Sequence, residues 1–138
     1  MTSRTLFTAL LGTSTVVFAT TATAQTPNET VTPNFSHVIS NLPGKSLIAV
    51  EVTYPPGGAS KPHSHAKSAF IYAYVVSGSI VSQVDDGPAK IYSAGQAFYE
   101  EPGAKHRVSR NASKTAPAKL LAVFIVDTND THLTTPTE

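Results

Sequence analysis

The sequence predicts an all-β chain, folded as a single small antiparallel β-barrel of the jelly-roll kind. Three observations carry this. Apolar residues alternate with a period of two through "SLIAVEVTY" (46–54), and no stretch beyond residue 24 shows the 3.6-residue apolar repeat of a helix. Glycine and proline punctuate the chain at short intervals, as in barrels built from many short strands. With 138 residues, 41% of them apolar, there is material for one domain and one core.

Residues 1–24 read as a cleavable signal peptide. Arg4 supplies the cation, "LFTALLGTSTVVFAT" the apolar run, and Ala22 and Ala24 the small residues before a cut after Ala24. Threonine and glycine dilute that run, which falls short of the roughly 20 apolar residues of a spanning helix. The mature chain is therefore expected to be secreted or periplasmic and free of the membrane. Residues 25–46, rich in Pro, Thr and Asn, read as an extended N-terminal arm.

The barrel is expected over 47–127. Its first strand places Ile48, Val50, Val52 and Tyr54 on one face and Leu47, Ala49, Glu51 and Thr53 on the other. "PPGGASKP" breaks it. "FIYAYVVSGSIVSQV" is β-branched and aromatic, with Gly78 at a turn, and "DDGP" makes the next turn. "AKIYSAGQAFYEEPGAKHRVS" gives short strands separated at Gly95 and at Pro102-Gly103. "KLLAVFIVD" is a continuous apolar strand. One of its faces belongs to the core; the other needs the arm or a second subunit, so a homodimer is a candidate assembly. The tail, 128–138, has no periodicity and is expected to be loose.

Composition excludes several functions. The formal charge of +1, with no basic block, gives no electrostatic footprint for nucleic acid or an anionic membrane. The chain has no cysteine, so disulfides and thiolate metal sites are excluded and any metal must rest on nitrogen and oxygen. N-x-Ser/Thr sequons occur at Asn28, Asn34, Asn111 and Asn129 and matter only in a host that glycosylates exported proteins.

Chemistry concentrates at the histidines. Of the five, His37 lies in the arm and His132 in the tail, both expected in solvent. His63 and His65 are spaced i, i+2 on a segment that Pro62 keeps extended, so both imidazoles project from one face. Two such rings make half of a first-row metal site. His106 follows the turn "EEPGAK", at the same kind of junction as His63.

Over residues 47–127 these features resemble the cupin superfamily. Its first motif is Gly, five residues, His-x-His, three or four residues, Glu, six residues, Gly; Gly57, His63, His65 and Gly78 fit it. Its second is Gly, five residues, Pro-x-Gly, two residues, His, three residues, Asn. Gly95, Gly103 and His106 fit that one, with Pro102 and Asn111 each one position late. The motif glutamate is missing. It would fall at Ala69 or Phe70 counted from His65, or at Ile71 counted back from Gly78, and the segment is longer than the motif by a short insertion.

The resemblance implies a divalent ion, Fe(II) before Mn, Zn or Ni, held by His63, His65 and His106 alone. Three neutral imidazoles would leave that ion its full positive charge. Tyr72, Tyr74, Gln83, Glu100 and Glu101 remain as other donors. Phe70, Tyr72, Tyr74, Gln83 and Phe98 are the candidates for contact with a small-molecule substrate, with Phe124 a further wall. The resemblance implies an oxidoreductase or dioxygenase; the alternatives are a metal-dependent isomerase, lyase or hydrolase, and a non-catalytic binding protein.

Overall fold

The computed structural model describes residues 28–137. The expected signal peptide, 1–24, lies outside the described residues. Ten strands and no helix occur among those described: β1 (Thr30–Val38), β2 (Lys45–Tyr54), β3 (His63–His65), β4 (Phe70–Ser77), β5 (Ser79–Val84), β6 (Lys90–Ser93), β7 (Ala97–Glu100), β8 (Lys105–Asn111), β9 (Ala118–Asp127) and β10 (Thr134–Pro136). They form two five-stranded antiparallel sheets, ordered β1-β2-β9-β4-β7 and β10-β3-β8-β5-β6. This is the predicted all-β jelly roll. The sheets pack face to face but are not hydrogen-bonded edge to edge into a closed barrel.

Alternation decides which residues enter the core. In β4, Ile71, Ala73 and Val75 are buried; in β9, Ala118, Leu120, Ala122, Phe124 and Val126 are. Val52 and Tyr54 of β2 join Ala73, Val75, Leu120, Phe98 and Ile80 in one cluster, and Ile71, Ala122, Phe124 and Val126 form a second. Each fully buried Ile or Val side chain contributes about 1.5–3 kcal/mol.

Within the arm, Thr30–Val38 is a strand. It pairs with β2 at the sheet edge, with an irregularity between Pro33 and Phe35. The tail departs from its expected looseness: Thr134–Pro136 pair with His63–His65, and Leu133 packs on the second cluster. A three-residue strand is too short to leave a periodic signature, and backbone pairing with β3 holds it in place. The sequon at Asn111 has structural work instead. Its side chain is buried, donates to the Pro55 and Ala116 carbonyls at 3.1 and 2.7 Å, and accepts from the Ser113 amide at 2.8 Å.

The outer face of the first sheet carries an apolar row from edge to edge. The pairing registers align Phe35, Ala49, Val123, Tyr72 and Tyr99 in one row across all five strands, flanked by Ile125 with Phe70 and by Leu121 with Tyr74. Phe70 and Tyr99 stack, with centroids 5.9 Å apart. Phe35, Phe70, Tyr72 and Tyr99 are 55, 37, 46 and 61% exposed. At about 200 Å² per ring, they present roughly 400 Å² to solvent, a contiguous patch at the scale of the largest found on single domains.

Gly78 joins β4 to β5 with φ +70°, and a Cβ there would lie 2.8 Å from the Ala118 Cβ. Gly78→Ala is therefore expected to lower stability by about 2 kcal/mol or more. Thermal denaturation should show a Tm roughly 10 °C lower; an unchanged Tm would show that the turn relaxes without cost.

Candidate metal centre

The three motif histidines meet because two short strands pair. His63 and His106 are direct partners across β3 and β8, and His65 lies two residues along β3 on the same face. One nitrogen from each ring can be chosen so that all three lie within 4.8 Å of one another. Ring centroids are 4.8, 5.4 and 5.9 Å apart for the His63–His65, His63–His106 and His65–His106 pairs.

Neighbours orient two of the rings. His63 Nδ1 lies 2.8 Å from the Lys61 carbonyl, which takes its N–H and leaves Nε2 free. His106 Nε2 lies 2.9 Å from Ser82 Oγ, on β5 beside it. Burial makes the His63 imidazole harder to protonate than usual, and the nearness of the other two rings adds to this, against the pull of the Lys61 carbonyl and Glu100. A neutral ring is the form that binds metal.

A carboxylate completes the cluster. Glu100, at the end of β7 and 3% exposed, reaches across from the first sheet. Its Oε2 lies 3.0 Å from His65 Nε2 and its Oε1 3.3 Å from His106 Nδ1. Burial alone would raise the Glu100 carboxyl, but contacts with His106 and His65, and their charge, outweigh it and hold the group at about 2. It is an anion across the physiological range.

Three buried atoms of this cluster lack a hydrogen bond: Nδ1 and Nε2 of His65, and Oε2 of Glu100. The last two are close but out of line, so their 3.0 Å approach is not a hydrogen bond. Each such group costs about 1–3 kcal/mol when left unpartnered. A divalent cation shared by the rings would offset that cost. The donor set therefore fits a first-row ion, bound by His63, His65 and His106.

The histidines open onto a cavity of about 640 Å³ between the sheets. Its walls are Val50, Val52, Ile71, Leu120, Ala122 and Phe124, and Lys61 is the one basic side chain among its lining residues besides the three histidines. Tyr54 also lines it, with its hydroxyl 2.8 Å from Ser60 Oγ and 2.7 Å from Ser109 Oγ. Burial, more than these two bonds can offset, pushes the Tyr54 phenol up and keeps it protonated.

Most of the expected substrate contacts lie elsewhere. Phe70, Tyr72 and Tyr74 are on the outer face of β4, because the residues alternating with them, Ile71 and Ala73, point inward. Gln83 donates to the Gly87 carbonyl in its own turn at 3.0 Å. Phe98 is buried but packs on Tyr92 and against the edge of His106, outside the cavity lining. Phe124 does line the cavity, 5.8 Å from His65 between centroids. Glu101, Glu100's neighbour, is exposed, as are His37 and His132. Ser82, Tyr54, Ser60 and Ser109 were not legible as site residues. For Ser82, Tyr54 and Ser109 only the inward phase of their strands, with a polar residue among apolar ones, marks them, and Ser60 lies in the loop between β2 and β3.

Fold and site together define a small jelly-roll protein with a histidine-lined cavity. The chain belongs to the cupin family: the cupin domain matches residues 50–124. No curated protein matches it. Among solved structures it is similar to the protein TT1209 from Thermus thermophilus, at 25% identity and a TM-score of 0.58 over 72% of this chain and 84% of that one. It also resembles oxalate oxidase in complex with the substrate analogue glycolate, at 22% identity and a TM-score of 0.56 over 71% of this chain and 51% of that one. A structure of DMSP lyases is similar at 18% identity and a TM-score of 0.56, over 67% of this chain and 44% of that one. This chain spans about half the length of the latter two.

Tyr54→Phe deletes the hydroxyl that joins Ser60 to Ser109 and is expected to cost about 1–2 kcal/mol. Urea unfolding should show this as a lower midpoint with an unchanged slope; equal midpoints would mean the two serines find each other.

Proposed function

We propose that this chain is an exported, single-domain cupin that binds a divalent metal, Fe(II) foremost, and acts on a small molecule as an oxidoreductase of the dioxygenase type. One observation carries the reading: three imidazoles and a buried carboxylate, with unpartnered donor atoms, converge on the wall of an apolar cavity. His63, His65 and His106 hold the metal, with Lys61 and Ser82 fixing two of the rings. When bound, the metal supplies Lewis-acid polarisation and, as iron, redox chemistry with O2. Val50, Val52, Leu120 and Phe124 exclude water and bind the body of the substrate. The likeness to oxalate oxidase supports the oxidoreductase class. The substrate differs in kind: an apolar body with an oxygen-bearing end fits these walls better than a small dianion would.

Metal analysis of untagged protein tests this first. Wild type is expected to hold close to one equivalent of iron or a replacement divalent ion, and His106→Ala far less. A metal content below a few tenths of an equivalent, unchanged by His106→Ala, would sink the reading. Oxygen uptake with β-diketones or catechols then tests the redox step; turnover that persists when zinc replaces iron would assign Lewis-acid chemistry instead.

The outer apolar face is assigned to a second copy of the chain. A two-fold contact sets one patch against itself. Two ion pairs beside its apolar row are closed within the chain, Lys119 with Glu51 at 2.8 Å and Lys45 with Asp127 at 2.6 Å, so two copies meet without like-charge repulsion from these groups. The exported protein is expected to begin at Gln25 by intact mass and to elute as a dimer. A monomer at micromolar concentration, or a mass retaining residues 1–24, would refute the corresponding part.

A further inference from the structure

The cupin pattern reserves a place for a carboxylate that, counted back from Gly78, this chain fills with Ile71. Ile71 and Glu100 are direct partners in the β4–β7 pairing. Both are buried, and both line the cavity. Directly opposed residues of an antiparallel pair point to the same face, with Cβ atoms about 5 Å apart. We propose that Glu100 is the fourth protein ligand of the metal, a carboxylate that has crossed from β4 to β7 and still serves the same point in the cavity. The proposal rests on the metal-binding reading above.

The geometry distinguishes a ligand from an outer hydrogen-bonding partner. Two ligands bound at right angles, each about 2.1 Å from one ion, lie about 3.0 Å apart. The Glu100 oxygens lie 3.0 and 3.3 Å from His65 Nε2 and His106 Nδ1. A partner that merely accepted the His65 N–H would be aligned with it, and Oε2 is not. The other contacts agree. Ser82 occupies His106 Nε2, so the nitrogen left for an ion is Nδ1, the one facing Glu100. Lys61 occupies His63 Nδ1 and leaves Nε2. The Glu100 carboxylate thus lies beside the free nitrogens of His65 and His106, two of the three rings that cluster.

A carboxylate ligand also changes the charge of the centre. Three imidazoles leave a divalent ion at +2; with Glu100 the sum is +1. The pull on a dianionic ligand is weaker, in keeping with a cavity whose lining has, beyond the histidines, a single basic side chain and mainly apolar walls.

The test titrates metal-free protein with Co(II) and Zn(II) against a chromophoric chelator, using Co(II) absorption to report the donor set. Glu100→Gln is expected to lose more than about 100-fold in affinity, beyond the roughly 10–100-fold that loss of an outer partner costs, and to alter the Co(II) spectrum. The double variant Glu100→Ile, Ile71→Glu returns the carboxylate to β4 and is expected to recover affinity to within about tenfold of wild type, on the same scale of ligand effects. Circular dichroism confirms that each variant is folded. Glu100→Gln with near wild-type affinity and an unchanged spectrum overturns the proposal and leaves the three-histidine site standing. A folded double variant that binds no better than Glu100→Gln also overturns it. Wild-type protein that takes up neither ion removes the metal reading itself.

Discussion

The arrangement of this protein turns on one buried anion. Glu100 sits between the sheets with almost no access to water, and burial by itself would neutralise it. Two imidazoles from the opposite sheet hold it ionised. The interaction binds β7, at the edge of one sheet, to β3 and β8, in the middle of the other. It therefore stitches the two layers at the point where the cavity interrupts their apolar packing. Elsewhere the layers are joined by side chains that need no partner. Here they are joined by charged and polar groups whose removal, one at a time, leaves the rest buried and unsatisfied.

The first sheet, β1-β2-β9-β4-β7, has two uses, one for each face. The inward residues of β2, β4 and β9 fill the core clusters and wall the cavity. The outward residues form an exposed aromatic surface. A one-residue shift in register would exchange the two sets, which is why the strands are long and pair over long stretches. β2 and β9 alone align ten residue pairs.

Strand content, the jelly-roll class and the meeting of His63, His65 and His106 were legible in the sequence because each depends on local pattern: alternation, Gly/Pro punctuation and motif spacing. What was not legible depends on phase or on pairing. Phe70, Tyr72 and Tyr74 looked like pocket walls because aromatic residues beside a histidine motif suggest a pocket. Alternation alone does not say which half of "FIYAYVV" points inward, and the smaller Ile71 and Ala73 occupy that face. Glu100 was one donor among several, because its place opposite Ile71 exists only once β4 and β7 are paired. β10 escaped notice because its three residues gain their order from β3.

That last pairing bears on how the site is held. β3 is only three residues long and carries two of the three histidines. Its pairing with β8 covers two residues, His63 and Ser64. On its other side it is bounded by the chain's own end: β10 pairs with all three residues, the Ala66 amide donates to the Leu133 carbonyl at 3.1 Å, and the Thr137 amide donates to the Pro62 carbonyl at 3.1 Å. A segment so short, flanked by loops, would open locally at low cost if only one edge were held. The C-terminal segment thus acts as the second rail of the strand that presents His63 and His65. It also contributes Leu133 and Pro136 to the cavity lining, so the geometry of the imidazoles and the shape of the cavity mouth depend on the same few residues.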